Sequence, residues 1–298
     1  MIKKNVRNNL RVFVHIGAPK SASSSLQHFF HFNKKINFLG IVRDHEDYIG
    51  SKIYNTDFHA YCRYKNNYFN KAKKIKNKLS IKKINLVSDE DFFTSETENY
   101  KKKIKRIIKI FPNCEFIVVL RDPIKTIKSW HDFNLRRNEK TPLSIVQYVK
   151  QKKLLNITDL IDYKERINYF KSLKKNKFHV ISFNIIEQNK ILQTLNKIFK
   201  TNISYEKNNK SLQKKNSNFS VYFLKILFTK LPWTRRLKFI MPRFLIRIIK
   251  KFLSLFISVS KFRNTISKSE TKYLNKLFVR EVRYYRLLFK KKSYFTLN

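Results

Sequence analysis

Three short stretches carry side chains whose chemistry goes beyond packing. The first is Gly17-Ala-Pro-Lys20-Ser-Ala-Ser-Ser-Ser25, which directly follows the apolar run Val12-Phe-Val-His-Ile16. A lysine ammonium and a row of small hydroxyl residues form a group of donors, and such a group suits a tetrahedral oxyanion, phosphate or sulfate. The second is Arg121-Asp122-Pro123 after Phe116-Ile-Val-Val-Leu120, with Ser129 eight residues beyond Arg121. A guanidinium can grip a phosphate in two places and a serine can add a further donor. The third is Ser88-Asp89-Glu90-Asp91, whose carboxylates can move a proton. Each stretch has a plainer use: helix capping by the serines, an Arg121–Asp122 ion pair, an acidic first turn for the next helix.

The elements that must position these groups are legible nearby. Val12 to Ile16 reads as a buried parallel strand, broken by Gly17 and Pro19. Leu26, Phe29 and Phe30 fall at helical spacing behind the serines, so a helix begins within the serine run and continues through Gln27 to about Lys34. A strand, a small-residue loop holding Lys20 and a helix start together make an anion trap, because the first amides of a helix are unpaired and the helix dipole favours negative charge there. Ile84 to Ser88 and Phe116 to Leu120 read as further core strands. Pro123 fits the first turn of a helix, and Ser129 falls about two turns into it. The nucleoside-triphosphate loop, G-x-x-x-x-G-K-[ST], is a different pattern: here the lysine precedes the small residues and no second glycine follows.

Taken together and in this order, the two basic motifs resemble those of sulfotransferases that use 3′-phosphoadenosine 5′-phosphosulfate (PAPS). The resemblance covers about residues 11–205 and 269–289. It implies a three-layer α/β/α fold with a central parallel sheet and a phosphate-binding strand-loop-helix at the N-terminus, forming a single domain over 1–298. A basic, apolar helical stretch at 214–263 lies outside the resemblance. It implies PAPS as donor, 3′,5′-adenosine bisphosphate (PAP) as product, and no metal. Lys20, Ser21, Ala22, Ser23, Ser24 and Ser25 would hold the 5′-phosphosulfate, Lys20 would also serve catalysis, and Arg121 with Ser129 would hold the 3′-phosphate. Lys210 and Ser211 form a weaker match for that second phosphate. Bacterial members have a Ser-x-Glu after the corresponding strand, matched here by Ser88-Asp89-Glu90, so Glu90 is the general base this resemblance implies. Asp89, Asp91, His28, His31 and His45 are its rivals. The family often has glycine where Ala22 stands and threonine at Ser23 and Ser24. Serine donates the same hydrogen bond, and alanine serves if position 22 needs no positive φ.

Composition bounds the rest. The 298 residues are 42% hydrophobic, ample for a sizeable core. The net charge is +46, with 66 Lys and Arg against 20 Asp and Glu, and only 3 Gly. Abundant Lys, Asn, Ile and Phe match the drift of an A/T-rich genome. The charge still draws anions, anionic lipid and nucleic acid, an attraction that salt screens. The lysines are scattered and accompany no recognised nucleic-acid module, so no specific nucleic acid is expected. Cys62 and Cys114 have neither disulfide-framework nor metal-site spacing. The basic N-terminus lacks an apolar leader region, and a cytoplasmic protein is expected. Its partner would be a small-molecule or glycan acceptor. The runner-up functions are a nucleotide-dependent phosphotransferase and a non-catalytic protein that binds polyanions or the membrane surface.

Along the remaining chain, residues 43–70 read as an irregular rim rich in Tyr, His and Asn, equally a substrate contact or a surface excursion. Helices are expected over about 68–79, 97–110, 185–199 and 269–289, and a strand over 178–183. From Phe219 to Phe262 no acidic residue occurs, and charge interrupts the apolar runs well short of the roughly 18 residues of a membrane span. Core-packing helices explain that stretch more simply than a layer on anionic lipid.

Overall fold

The structure, a computed structural model, describes residues 10–42, 52–64, 66–95, 99–137, 144–151, 153–188, 190–204 and 267–297. The chain begins with β1 (Val12–Ile16), α1 (Ser23–Phe32), β2 (Ile36–Phe38), β3 (Ile41–Val42), β4 (Lys52–Ile53), α2 (Thr56–Arg63) and α3 (Phe69–Ala72). It continues with β5 (Ile84–Asp89), α4 (Tyr100–Ile110), β6 (Glu115–Leu120), α5 (Pro123–Arg137), α6 (Ile145–Gln151), α7 (Lys153–Ile161) and α8 (Tyr163–Ser172). Then follow β7 (Lys177–Ser182), α9 (Asn184–Glu187), α10 (Ile191–Phe199), α11 (Lys268–Leu277), α12 (Val279–Leu288) and β8 (Tyr294–Leu297).

The described residues fall into two compact units. The first draws on Met1–Thr126, Thr158–Gln213 and Arg280–Asn298, the second on Ile127–Ile157 and Lys214–Val279. The first is a three-layer α/β/α structure around a six-stranded sheet of order β2-β5-β1-β6-β7-β8. Five strands run parallel, and β8 joins β7 antiparallel. Every residue of β1 and β6 is buried, which is why both read as mostly apolar runs: a central parallel strand has helices on both faces. Val12, Val14 and Ile16 pack on one face with Ile104, Ile107, Ile167 and Phe170 of α4 and α8. Phe13 packs on the other with Leu26, Phe29 and Phe30 of α1 and Leu195 and Ile198 of α10. Burying each such side chain contributes about 1.5–3 kcal/mol relative to exposure. In the second unit, Asn134 donates to the Tyr148 hydroxyl (2.7 Å), His131 packs on the Tyr148 ring, and Leu274 of α11 is buried.

Topology decides where the reactive stretches go. From β1 the chain moves to one side, into β2 and β5, and then crosses to β6 and β7 on the other. The loops that leave β1, β5 and β6 therefore emerge side by side at the C-terminal edge of the sheet, the place where open α/β sheets bind ligands. Ile16 is in register with Asp89 on one side and Val118 on the other.

Some expectations change. The helix expected over 68–79 is a short α3 between two 3₁₀ segments, Asn66–Tyr68 and Lys73–Lys78. No acidic residue stands between Asp57 and Asp89, so its lysines have no i,i+4 carboxylate to offset their mutual repulsion. The helix expected over 97–110 is described from Tyr100, where the Asn99 side chain accepts a bond from Lys101 N (2.9 Å). The last helix is interrupted at Phe278, whose backbone leaves the helical region (φ −110°, ψ 33°) while its ring is buried. Strand β8 has no counterpart in the sequence reading. A network at the opposite edge of the sheet holds it: Arg11 pairs with Glu115, His179 Nε2 meets Glu115 Oε2 (2.9 Å), and His179 Nδ1 meets Tyr294 (3.0 Å) and Thr296 (3.1 Å). Burial would push the Glu115 carboxyl up, but the bonds from His179 and Arg11 outweigh it and hold it down to about 2. The stretch 214–263 lies outside the described residues. Among the described residues, no helix is long and apolar enough to cross a membrane.

Candidate functional site

Beyond Ile16 the chain turns through Gly17, where a Cβ would stand 2.6 Å from Ser23 Oγ and 2.9 Å from Glu90 Cγ. Only glycine lets the start of α1 and the Glu90 side chain close on the strand end together. The turn continues with Ser21 N donating to Ala18 O (3.2 Å), and both Lys20 and Ala22 adopt a left-handed backbone at φ 60°. Alternation into left-handed conformations turns successive amides to one side, a form that cradles anions. Ala22 is the N-cap residue of α1, and no side chain caps the helix. The serines therefore do not spend their hydroxyls on capping, and the first amides of α1 are left for a ligand.

The serines divide by environment. Ser21 Oγ is fully buried and without a partner. Ser23 Oγ donates to Ala18 O (3.1 Å), so it stitches the loop to itself. Ser24 Oγ donates to Glu90 Oε1 (2.8 Å). Ser25 is half-buried.

Ala22 does require the positive φ that an L residue adopts only at a cost of about 1–2 kcal/mol. Ala22→Gly is thus expected to raise stability by about 1 kcal/mol, measured by denaturant unfolding. An unchanged or lowered stability would mean that the alanine methyl makes a compensating contact.

Arg121 stands just past β6. Its Nη1 donates to the Lys20 carbonyl (2.9 Å), its guanidinium lies 4.5 Å over the Phe183 ring, and its Nε is buried without a partner. Burial lowers its proton affinity, yet an arginine stays charged. Its own carbonyl accepts the Tyr163 hydroxyl (2.8 Å). Asp122 does not pair with it; Asp122 Oδ1 accepts Lys125 N (3.0 Å) and caps α5. Ser129 lies in the second turn of α5, half-buried, and belongs to the second unit.

The three carboxylates separate sharply. Asp89 is buried and takes two bonds from Arg63, Nε to Oδ2 (2.9 Å) and Nη2 to Oδ1 (2.6 Å), with His59 Nδ1 at 2.8 Å. Asp91 pairs with Arg63 Nη1 (3.0 Å). Lys103 Nζ donates to the carbonyls of Asp91 (2.7 Å) and Thr94 (2.8 Å) and fixes the turn from beneath. Both aspartates are thereby tied to the scaffold, and Glu90 alone turns to the loop.

Burial would raise the Asp89 carboxyl, but His59 and Arg63 hold it well below the usual carboxylate range. The folded state thus favours the charged form, so this stabilisation is complete above about pH 4 and is lost as the pH falls below it. Asp89→Asn leaves Arg63 partly unmatched and is expected to cost about 3–5 kcal/mol. It should also flatten the acid limb of stability between about pH 4 and 2, a change read by thermal unfolding against pH; an unaltered limb would show that other groups govern acid unfolding.

Of the remaining rivals, His28 stacks on Phe32 and His31 lies among Phe32, Phe38 and Tyr54, one to two turns along α1 from Ser24. His45, Lys210 and Ser211 lie outside the described residues. Sequence reasoning missed α2, whose His59 and Arg63 hold Asp89. The i,i+4 spacing of these two residues was the available signal, hidden in a segment read as irregular. It also missed His15, whose Nδ1 meets Ser88 Oγ (2.7 Å) between β1 and β5. Burial brings its pKa down to about 4, so it is a neutral core histidine.

No protein-family model and no curated protein matches the chain. Among solved structures the chain is similar to a crystal structure of a sulfotransferase from Alicyclobacillus acidocaldarius, at 13% identity and a TM-score of 0.45, over 74% of this chain and 93% of that one.

Proposed function

We propose that the protein is a sulfotransferase that passes the sulfuryl group of PAPS to the hydroxyl, or amine, of a carbohydrate or other hydroxylated small molecule. One observation carries this reading. Two basic stretches 101 residues apart meet where Arg121 Nη1 binds the Lys20 carbonyl, and beside that bond Ser21 Oγ and Arg121 Nε are buried donors without acceptors. An unmatched buried donor costs about 1–3 kcal/mol, more for a charged one, and a bound oxyanion relieves that cost. The residues present thus fit a doubly phosphorylated nucleotide.

The donor supplies an electrophilic sulfur and a phosphate leaving group, with the S–O bond to phosphate breaking as the bond from sulfur to the acceptor oxygen, or nitrogen, forms. The protein's part is positioning and charge stabilisation. Lys20, Ser21, Ser24 and the open amides of α1 hold the 5′ group. Lys20 meets the negative charge left on the departing phosphate oxygen. Arg121 holds the 3′-phosphate. Glu90 accepts the proton of the attacking hydroxyl.

Calorimetric binding of PAP beside AMP and ATP-magnesium tests the reading. Moderate salt is needed, because a chain of charge +46 gathers any polyanion loosely at low salt. PAP is expected to bind at least about tenfold tighter than either rival, and Arg121→Ala to erase that preference. Equal binding of all three would discard the proposal. Tight magnesium-dependent ATP binding would favour a phosphotransferase.

A further inference from the structure

We infer that Ser24 is a two-position donor that keeps Glu90 engaged until the sulfuryl donor arrives. The inference rests on the functional reading above and adds an order of events to it. A serine hydroxyl has one proton to give. In the protein as described, that proton goes to Glu90 Oε1 at 2.8 Å. Ser24 is also the second residue of α1, set among the open amides where the 5′-phosphate is held. Its hydroxyl therefore has two anionic acceptors in reach of one turn about χ1, and staggered wells make that a discrete exchange. The approach of Glu90 is built in: Gly17 lacks the Cβ that would stand 2.9 Å from Glu90 Cγ. Neighbouring serines do not share this property. Ser23 is committed to Ala18 O, and Ser21 has no partner to exchange.

The exchange has a direction. A hydrogen bond to a carboxylate is a strong one, and only an acceptor of similar charge draws the proton away. When the 5′-phosphate takes it, Glu90 keeps its other interactions and regains one lone pair on Oε1. Glu90 thus has the oxygen that Ser24 held to offer an acceptor hydroxyl once the donor is in place.

The test is a double-mutant cycle read by calorimetric binding of PAP at about 0.15 M salt, with the wild type, Ser24→Ala, Glu90→Ala and the double variant. Removing Glu90 relieves charge repulsion in both backgrounds, and that part cancels in the cycle. What remains is the contest for the Ser24 proton. Glu90→Ala is expected to tighten PAP binding about tenfold more when Ser24 is present than when residue 24 is alanine. Equal effects in the two backgrounds would overturn the inference. If Glu90→Ala does not fold, Glu90→Gln repeats the cycle with a neutral acceptor, and the coupling should shrink to a few-fold; none at all would overturn it equally. The two proposals fail differently: no binding of PAP to the wild type sinks the functional reading and this inference with it, whereas tight binding with a cycle that closes to zero removes this inference alone.

Discussion

Glu90→Gln is expected to lower turnover by about 10²–10⁴-fold, the usual worth of a positioned general base, while PAP binds at least as tightly as to the wild type. The reason is positional. Of three consecutive carboxylates, Asp89 is locked by Arg63 and His59, Asp91 by Arg63, and only Glu90 reaches the loop that ends β1. Glutamine keeps the shape and an acceptor oxygen for Ser24 but cannot take a proton. Turnover is read as release of PAP from the donor, with a screened alcohol acceptor and with water as the default one. A near-normal rate would move the base elsewhere. His28 and His31 would then be examined next, since both lie further along the same helix that carries Ser24.

Lys20→Ala is expected to lower turnover by about 10²–10³-fold, comparable to the loss of one preorganised donor at a developing charge. Its effect on PAP affinity should stay below about tenfold, because the amides of α1, Ser21 and Arg121 remain. The split between rate and affinity is the diagnostic: a lysine that only attracts the nucleotide would lower both alike. Lys20 also sits at φ 60°, with its carbonyl held by Arg121. Lys20→Gly removes the same charge but is at ease in that backbone region. If both variants lose turnover equally, the loss belongs to the ammonium. If the glycine variant keeps most of it, the alanine effect is one of loop strain, and the role assigned to Lys20 fails.

Much of this site was legible before any coordinates. Phe116 to Leu120 is apolar on both faces and Val12 to Ile16 nearly so, a pattern that suits a covered parallel strand. Gly17, Pro19 and Pro123 punctuate them at their ends, so the strand-loop-helix units around Lys20 and Arg121 follow from local chemistry alone. Ser88-Asp89-Glu90 could likewise be placed at a strand end. In each case the signal lies within a dozen residues, and backbone preference and hydrophobic period are local quantities.

What stayed hidden involved partners distant in sequence. Nothing in Ser88-Asp89-Glu90-Asp91 says which carboxylate faces the loop after β1. That was decided by His59 and Arg63 on α2, about thirty residues away, which claim the two aspartates. The positive φ of Ala22, the bond from Arg121 to the Lys20 carbonyl and the pairing of β8 with β7 are likewise consequences of packing, in which neighbours override what a residue would prefer alone. The sequence by itself therefore determined the inner strands β1, β5, β6 and β7 and the small-residue loop that carries Lys20. Only the tertiary structure decided which serine and which glutamate share one proton, because a hydrogen bond depends on positions to within tenths of an ångström, and those are set by the whole core.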